Sequence, residues 1–460
     1  MAKEQAYRPD SRILELGSDF YDPVEPACFP QAISRFLNER WAERVGLAGV
    51  DWAAHFHRFE PLPDNLPAPL ALRYHGHQFR SYNPEIGDGR GFLFAQLRGP
   101  DDRLLDLATK GSGQTPYSRF GDGRLTLKGA VREVLATEML EALGVNTSRT
   151  FAVFETGEQL VRGDEPSPTR SAVLTRLGYG HIRIGTFQRL AFFEDAANMA
   201  KLTRYCLQHL YGETPGEDDA ANAARLFDLA ASATARLAAS YMAAGFVHGV
   251  LNSDNIAITG ESFDYGPWRF TPEWDPQFTA AYFDHGGLYA FGRQPEAIQW
   301  NLAQLAGCLT FLAEGPALSD VLGDWAERFQ TALVEALLRR LGVAGSELEA
   351  DRTLARALLG ALASRAVGID RLFFDWRGGR IPKDAAYQAE PFRALTQALD
   401  SRGREPAHPY WSDPEPCSMH IEEVEAIWAP IADADDWSRF ETKIAAIRRM
   451  GEAHGELHSS

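Results

Sequence analysis

A change in hydrophobic period near residue 190 constrains the fold of this chain more than any other feature. From Gly91 to about Gly185, short apolar runs are bounded by glycine, proline or polar residues, a pattern typical of strands: GFLFAQLR, LLDLATK, TFAVFET, QLVRG and SAVLTRLG. From Leu190 onward, long segments such as ARLFDLAASATARLAASYMAAG and DWAERFQTALVEALLRRLG carry apolar residues at helical spacing. The sequence therefore predicts a strand-rich unit followed by a helical one.

One helical segment interrupts the predicted strands. LTLKGAVREVLATEMLEALGV has apolar residues at helical spacing, and Gly144 near its end is a candidate C-cap. A strand-rich lobe with one central helix, followed by a larger helical lobe, is the layout of a protein-kinase-like bilobal α+β fold. We predict an N-terminal extension over residues 1–60, the N-lobe over 61–189, and a helical C-lobe with a C-terminal extension over 190–460.

The composition of the first 60 residues indicates an extension that wraps around the N-lobe. They are irregular and rich in proline and aromatic residues, as in FYDPVEPACFP. A short amphipathic pattern between Ala32 and Val45 predicts one helix within them.

Composition narrows the class of protein. With 45% hydrophobic and 24% charged residues among 460, the chain has the composition of a globular protein. Its formal charge of -17 argues against a nucleic-acid partner but allows a local basic pocket for a nucleotide. No apolar stretch approaches the roughly 18 residues of a membrane span, and the first residues lack the apolar core of a signal peptide. The cysteines are widely spaced, which argues against a zinc site or a disulfide framework and favours the cytoplasm: Cys28, Cys206, Cys308 and Cys417.

The tetrapeptide GDGR occurs twice, at Gly87–Arg90 and at Gly121–Arg124, with KGSGQTPYSR between the two copies. Glycine lets the backbone approach phosphate oxygens with its N–H groups, and each arginine adds positive charge. The same residues are also typical of ordinary hairpin turns. Because two copies flank Lys-Gly-Ser-Gly, we favour the nucleotide-binding interpretation.

Two further pairs of charged residues are candidates for the same pocket. Lys110 ends the run LLDLATK, and Glu133 lies early in the helix that follows. A strand lysine positioned by a helix glutamate holds nucleotide phosphates in kinases, although most lysines and glutamates are simply solvated. Arg176 and Arg183, in LTRLGYGHIRIG, could aim at one anion or form surface salt bridges.

The segment VHGVLNSDNIAI has the spacing of a kinase catalytic loop with one position changed. His248 and Asn255 fit the pattern H-x-D-x-x-x-x-N, but Val250 stands where the pattern has its catalytic Asp. Asp264 follows in DYGP, similar to the metal-binding D-F-G, so Asn255 and Asp264 are candidate Mg²⁺ ligands. Asp254 is the carboxylate left to act as a base, although Asn-Ser-Asp-Asn is also a common turn sequence.

Several separated motifs together resemble the selenoprotein O family, also called the YdiU family, of protein adenylyltransferases: HGHQF, GDGR, KGSGQTPYSRFGDGR, AVREVLATEML, HGVLNSDN, DYGP and YAFGRQPEAIQWNL. The resemblance runs from about Tyr74 to Leu302. It implies a kinase-like fold that binds ATP in a flipped orientation and transfers AMP to Ser, Thr or Tyr hydroxyls of proteins, the enzyme itself included. The Asp missing at Val250 then belongs to phosphoryl transfer, whereas adenylyl transfer takes its base from elsewhere.

The resemblance also implies roles for single residues. Asp254 would accept the proton of the attacking hydroxyl, and Asn255 and Asp264 would bind Mg²⁺, with Mn²⁺ as an alternative. Glu133 would orient Lys110, which would bind the γ end of the triphosphate together with two arginines. The residues expected to bind ATP are Gly87, Gly89, Arg90, Lys110, Asp122, Gly123, Glu133, Arg176, Arg183 and Asp264. Attack at the α-phosphorus expels pyrophosphate, so positive charge on the β and γ phosphates favours it.

Two other functions are compatible with parts of the sequence. A conventional kinase would transfer the γ-phosphoryl group, and Val250 argues against it because valine cannot accept a proton. A pseudokinase scaffold would bind nucleotide without turnover, and the retained phosphate and metal ligands argue against that.

The chain departs from the family at two places. Arg80, in HGHQFR, stands where a small residue is usual. His458 stands where members usually carry Cys or selenocysteine, and the stretch TAAYFDHGGLYAFG after Asp264 has no Cys that could pair with such a residue. We therefore expect no disulfide between the C-terminal tail and this loop.

Overall fold

The computed structural model describes residues 6–163, 165–399 and 402–455. Its strands are β1 (Pro9–Asp10), β2 (Tyr21–Pro23), β3 (Ile33–Leu37), β4 (Leu70–Leu72), β5 (Gly76–Gln78), β6 (Ser81–Asn83), β7 (Leu93–Arg98), β8 (Leu104–Lys110), β9 (Leu125–Thr126), β10 (Arg149–Leu160), β11 (Thr169–Gly178), β12 (Phe246–Val247) and β13 (Arg269–Phe270). Its helices are α1 (Glu39–Arg44), α2 (Trp52–Phe56), α3 (Leu127–Ala142), α4 (Ile184–Phe192), α5 (Ala196–Tyr205), α6 (Asp219–Ala244), α7 (Gln294–Leu309), α8 (Gly315–Gly323), α9 (Trp325–Leu341), α10 (Leu348–Ala363), α11 (Ile369–Asp375), α12 (Glu390–Leu399), α13 (Ile421–Ala434) and α14 (Ser438–Gly455).

One large antiparallel sheet forms the N-lobe. Its strand order is β2-β4-β7-β8-β11-β10-β3, with β1 paired to β7 and β9 paired to β11. Strand β8 lies between β7 and β11, and every one of its residues is buried, so it is a central strand of the sheet. Later elements are mainly helices, which confirms the predicted kinase-like bilobal α+β fold.

The predicted central helix is α3, which packs against β10 and β11. Thr126 caps its N-terminus, because the side-chain oxygen accepts a hydrogen bond from the Gly129 N–H at 3.1 Å. Gly144 follows its C-terminus with a φ of 75°, a conformation that glycine adopts without steric cost. One buried cluster includes Val131 of α3, Leu226 of α6 and Ile298 of α7, so the two lobes share a core.

The predicted helix over Ala32–Val45 is wrong in its first half. Ile33–Leu37 is strand β3, which pairs antiparallel with β10, and Phe36 stands opposite Val153. Helix α1 begins only after Asn38, whose side chain accepts a hydrogen bond from the Trp41 N–H. Pairing with β10 satisfies the backbone groups of this segment, and that tertiary contact outweighs a short helical pattern.

The first 60 residues also supply strands β2 and β3, at the two ends of the sheet's strand order. These two strands therefore form the edges of the N-lobe sheet. Within the described ranges, no helix is both long and apolar enough to cross a membrane.

Candidate active site

A cavity of about 620 Å³ opens between the sheet and the segment that follows β12. Its lining includes most of the residues predicted to bind ATP, together with the predicted base: Gly87, Gly89, Arg90, Lys110, Asp122, Gly123, Arg176, Arg183, Asp254 and Asp264. Glu133 lies behind this lining, where it contacts Lys110. Residues more than 170 positions apart in the chain thus meet at one cavity.

Charged side chains from β8, α3, β11 and the D-x-G segment come together at the inner end of the cavity. Lys110 ends β8, and its Nζ donates a hydrogen bond at 2.6 Å to Oε2 of the fully buried Glu133 on α3. The same Nζ lies 2.8 Å from Oδ1 of Asp264, and Nη1 of Arg176 lies 3.5 Å from that oxygen. Burial alone would raise the pKa of Asp264, but Lys110, Arg176 and Arg90 hold it well below its usual value. Asp264 is therefore ionised at neutral pH.

Arg176 is oriented by a buried histidine. Its Nε donates to Nε2 of His181 at 3.2 Å, and Nδ1 of that ring lies 3.2 Å from Oδ2 of Asp106 on β8. The His181 backbone N–H donates to the same oxygen at 2.8 Å. Burial, with the charge of Arg176, lowers the pKa of His181, so the neutral ring can accept from the guanidinium. Nη1 of Arg176 is buried and has no hydrogen-bond partner among the described residues.

Arg183 joins the first GDGR turn to the segment after β12. It precedes α4, and its Nη2 lies 3.0 Å from Oδ1 of Asp88 while its Nη1 donates to the Asp254 carbonyl oxygen at 3.1 Å. The guanidinium also lies 4.3 Å from the ring centre of Tyr74. Its Nε is buried without a partner in the described part of the chain. Arg183 thus reaches the cavity with one donor still available.

The glycines of the two GDGR turns are required by close packing between loops. A Cβ on Gly87 would lie 2.5 Å from the ring of Tyr117. Gly123 has a φ of 69°, and a Cβ there would lie 2.2 Å from the backbone of Gly113. Both turns therefore pack on the segment KGSGQTPYSR that separates them in the sequence, which forms one wall of the cavity. Asp122 also lines the cavity, where its carboxylate pairs with Arg162 at 2.9 Å.

The predicted catalytic loop is a short 3-10 turn, Ser253–Asn255, between β12 and β13. Asp254 lies in it with its Oδ1 buried and without a hydrogen-bond partner among the described residues. Burial raises the pKa of Asp254 to about 6, against the opposing charge of Arg183. The loop is tied to the D-x-G segment by His248, whose Nε2 lies 3.0 Å from the Phe263 carbonyl oxygen. Asp254 is thus a carboxylate with the pKa of a general base at neutral pH.

Asn255 occupies a different environment from Asp254. Its Nδ2 donates to the Val250 carbonyl oxygen at 3.1 Å, and it is absent from the described residues that line the cavity. In the described part of the chain, no group of three His, Cys, Asp or Glu side chains could hold a metal ion. Mg²⁺ commonly takes one or two protein oxygens and completes its shell with phosphates and water. The ionised Asp264 lines the cavity and supplies a carboxylate oxygen of the kind such a shared site takes.

Sequence reasoning missed the residues that hold the predicted ones in place. Asp106 had a signal, because a carboxylate inside the apolar run LLDLATK must find a buried partner. Asp88 lies within the first GDGR, but its contact with Arg183 has no sequence signature. His181 is placed by the folding of β8 against β11, which residue spacing alone does not reveal.

Comparison with known proteins agrees with the geometry. A family model described as protein adenylyltransferase SelO matches residues 4–401. The protein nucleotidyltransferase YdiU of Synechocystis sp. is 48% identical over 341 residues, which cover 72% of this chain and 70% of the relative. YdiU of Synechococcus elongatus is 41% identical over 466 residues, 95% of this chain and 94% of the relative. YdiU of Gloeobacter violaceus is 41% identical over 454 residues, 94% and 93% of the two chains.

Proposed function

Since the chain belongs to the protein adenylyltransferase SelO family, it is a nucleotidyltransferase, and we propose that it transfers AMP from ATP to Ser, Thr or Tyr hydroxyls of proteins, its own hydroxyls included. One observation supports the acceptor chemistry above the others. A buried carboxylate, Asp254, lines the cavity, while Val250 stands at the position where a kinase has its base. A base that is half ionised near pH 6 accepts a proton readily at neutral pH.

The inner end of the cavity suits a triphosphate. Lys110 and Arg176 meet there, Arg183 lines the same cavity, and two buried donors, Nη1 of Arg176 and Nε of Arg183, have no hydrogen-bond partner among the described residues. Buried donors without acceptors are costly, and phosphate oxygens would relieve that cost. Positive charge at this position stabilises the negative charge that builds up on pyrophosphate as it leaves the α-phosphorus.

The metal ion would be held by Asp264 and Asn255 together with phosphate oxygens. Mg²⁺, or Mn²⁺ in its place, supplies charge neutralisation and orientation of the phosphates when bound. Lys110 keeps Asp264 ionised for this role, and Glu133 holds Lys110 in turn.

The reaction itself is a displacement at the α-phosphorus. The acceptor oxygen forms a bond to that phosphorus as the bond to the oxygen bridging the α and β phosphates breaks. Asp254 takes the hydroxyl proton, and pyrophosphate leaves with the electron pair of the broken bond. The products are an AMP ester on the acceptor, pyrophosphate, and a protonated Asp254 that returns its proton to water.

Labelled ATP separates this function from its alternatives. Protein incubated with ATP and Mg²⁺ should incorporate label from the α position and none from the γ position, and Asp254→Asn should incorporate far less. Label from the γ position alone would favour the conventional kinase. Binding of ATP without any incorporation would favour a pseudokinase scaffold.

A further inference from the structure

The hairpin of β5 and β6 has a turn with strained backbone angles at its tip. The turn residues are Phe79 and Arg80, with φ of 50° and 62°, between the paired residues Gln78 and Ser81. Two-residue turns with positive φ at both positions favour Asn-Gly, because a larger side chain is crowded by its own backbone there. Strained residues of this kind persist where function requires their side chains.

Asn252 holds Phe79 against the catalytic loop, and Tyr289 holds Asn252 in turn. Its backbone N–H donates to Oδ1 of Asn252 at 3.0 Å, and the hydroxyl of Tyr289 donates to the same oxygen at 2.7 Å. Asn252 lies two residues before Asp254, so the tip of the hairpin and the proposed base share one rigid support.

Arg80 holds the other side of the tip. Its Nη2 lies 3.0 Å from Oε1 of Glu296, and its guanidinium lies 5.5 Å from the ring centre of Trp300, both on α7. These contacts give a role to an arginine that stands where a small residue is usual. They fix the hairpin tip to the helical lobe despite the unfavourable backbone.

The result of this arrangement is an exposed aromatic surface, which we call the mouth patch: Phe79, Tyr282 and Phe283. The rings of Phe79 and Phe283 lie 5.8 Å apart, and those of Tyr282 and Phe283 lie 5.1 Å apart. The three residues remain 39%, 78% and 42% exposed, respectively. Adjacent exposed aromatic side chains are typical of protein interaction sites, where such rings provide most of the binding energy.

The mouth patch adjoins the part of the cavity that contains Asp254. Gln78, the residue before Phe79, lines the cavity with Asp254 and hydrogen-bonds to its carboxylate. An acceptor hydroxyl that reaches Asp254 must therefore bring its flanking residues close to the mouth patch.

We propose that the mouth patch binds the acceptor protein by an aromatic or large aliphatic side chain within a few residues of the modified hydroxyl. This rests on the proposed function and adds the class of acceptor: a segment with an apolar residue next to its Ser, Thr or Tyr. Rigid rings that pack edge to face accept such a side chain with little loss of conformational entropy.

Two peptides test the proposal. They are identical except for Phe or Ala two residues from a single acceptor Ser, and self-modification of the enzyme serves as the positive control for AMP transfer. The wild type should show a kcat/KM about tenfold higher on the Phe peptide, through KM, since partial burial of one ring provides about that factor. Phe79→Ala should lose the preference for the Phe peptide and keep the wild-type affinity for Mg²⁺-ATP.

Three further variants distinguish loss of peptide docking from damage to the fold. Phe79→Tyr should keep the preference, and so should Phe311→Ala, which removes an equally exposed ring (42%) beyond the end of α7. Phe283→Ala should lose the preference without altering the strained turn, so it gives the same readout if Phe79→Ala does not fold.

The outcomes distinguish the two proposals. Three outcomes would overturn the docking proposal alone. In the first, the enzyme modifies itself but neither peptide takes up AMP. In the second, both peptides are used equally, and in the third, the preference for the Phe peptide survives in Phe79→Ala and Phe283→Ala. Absence of AMP from enzyme and peptides overturns the proposed function, and the docking proposal with it.

Discussion

The two ends of the cavity differ in how their side chains are held. At the inner end, Lys110, Glu133 and Asp264 are joined by contacts of 2.6 and 2.8 Å. At the outer end, the mouth patch lies beside the cavity: Phe79 sits on a turn with unfavourable backbone angles, and its ring contacts that of Phe283, with both rings partly exposed to solvent. The groups proposed to bind ATP are therefore held in place by one another, whereas the rings proposed to bind the acceptor are exposed. Substitutions at the two ends should therefore affect different kinetic constants.

The largest effect is expected from Asp264→Ala at the inner end. It removes the proposed metal ligand and leaves Lys110 and Arg176 without their shared carboxylate. We expect AMP transfer at saturating ATP to fall by at least about 10⁴-fold, because a metal ion contributes several kcal/mol to such reactions. Asp320→Ala, at an exposed position on α8, is the control and should retain full activity. A rate for Asp264→Ala within tenfold of the wild type would contradict this role.

Asp254→Asn should slow the chemical step by about 10² to 10³-fold, the usual contribution of a general base. The isosteric amide keeps the packing of the loop, so affinity for ATP, measured by calorimetry, should stay at the wild-type value. Near-normal turnover with unchanged affinity would remove Asp254 from the mechanism.

The pH dependence of the rate follows from the raised pKa of Asp254, about 6. Below that pH the carboxyl group is protonated and cannot accept the hydroxyl proton, so the rate should fall about tenfold per pH unit. Above it the rate should reach a plateau. Asp254→Asn should lose this dependence, and an unchanged profile in the variant would assign the titration to another group.

A smaller effect is expected from His181→Ala, which acts on the inner end through Arg176. Without the ring, Nε of Arg176 loses its acceptor, and the guanidinium is no longer fixed. The KM for ATP should rise about tenfold, the usual cost of one hydrogen bond to a charged group, with kcat little changed. His209→Ala is the matched control, because His209 is also buried but bonds to Glu15. Equal effects of the two variants would indicate a purely structural role for His181.

The smallest effect is expected from a thiol reductant. Cys206 and Cys308 are buried, and burial raises the pKa of the Cys308 thiol to about 12, which makes it unreactive. His458, which bears on the predicted lack of a tail disulfide, lies outside the described residues. Rates with and without dithiothreitol should agree within about twofold. Several-fold activation, lost in Cys308→Ser, would reveal a redox switch built from other cysteines.

The inner end could be predicted from the sequence because its elements are regular. Lys110 ends a strand with a clear apolar run, and Glu133 lies on a helix with a clear helical period, so their meeting follows from the fold class. The contacts of Asp88 and His181 could not be predicted, because they depend on how loops fold against the sheet. The same applies to β3, where pairing with β10 decided the structure of a segment with a helical pattern.

The outer end could not be predicted, because Phe79 and Arg80 are not the residues that usually form a two-residue hairpin turn. Phe79 and Arg80 lack the Asn-Gly signature of a two-residue turn, so no hairpin was expected there. Only the contacts with Asn252 and Glu296 show what holds the turn.

The central claim is that the α-phosphorus, and not the γ-phosphorus, is transferred, and an intact-mass spectrum tests it most directly. The protein is incubated with ATP and Mg²⁺, with Asp264→Ala treated in parallel, and both are weighed before and after. The wild type should gain the mass of one or more AMP groups, with an equal amount of pyrophosphate released, and the variant should gain none. A gain of phosphoryl mass with release of ADP would contradict it.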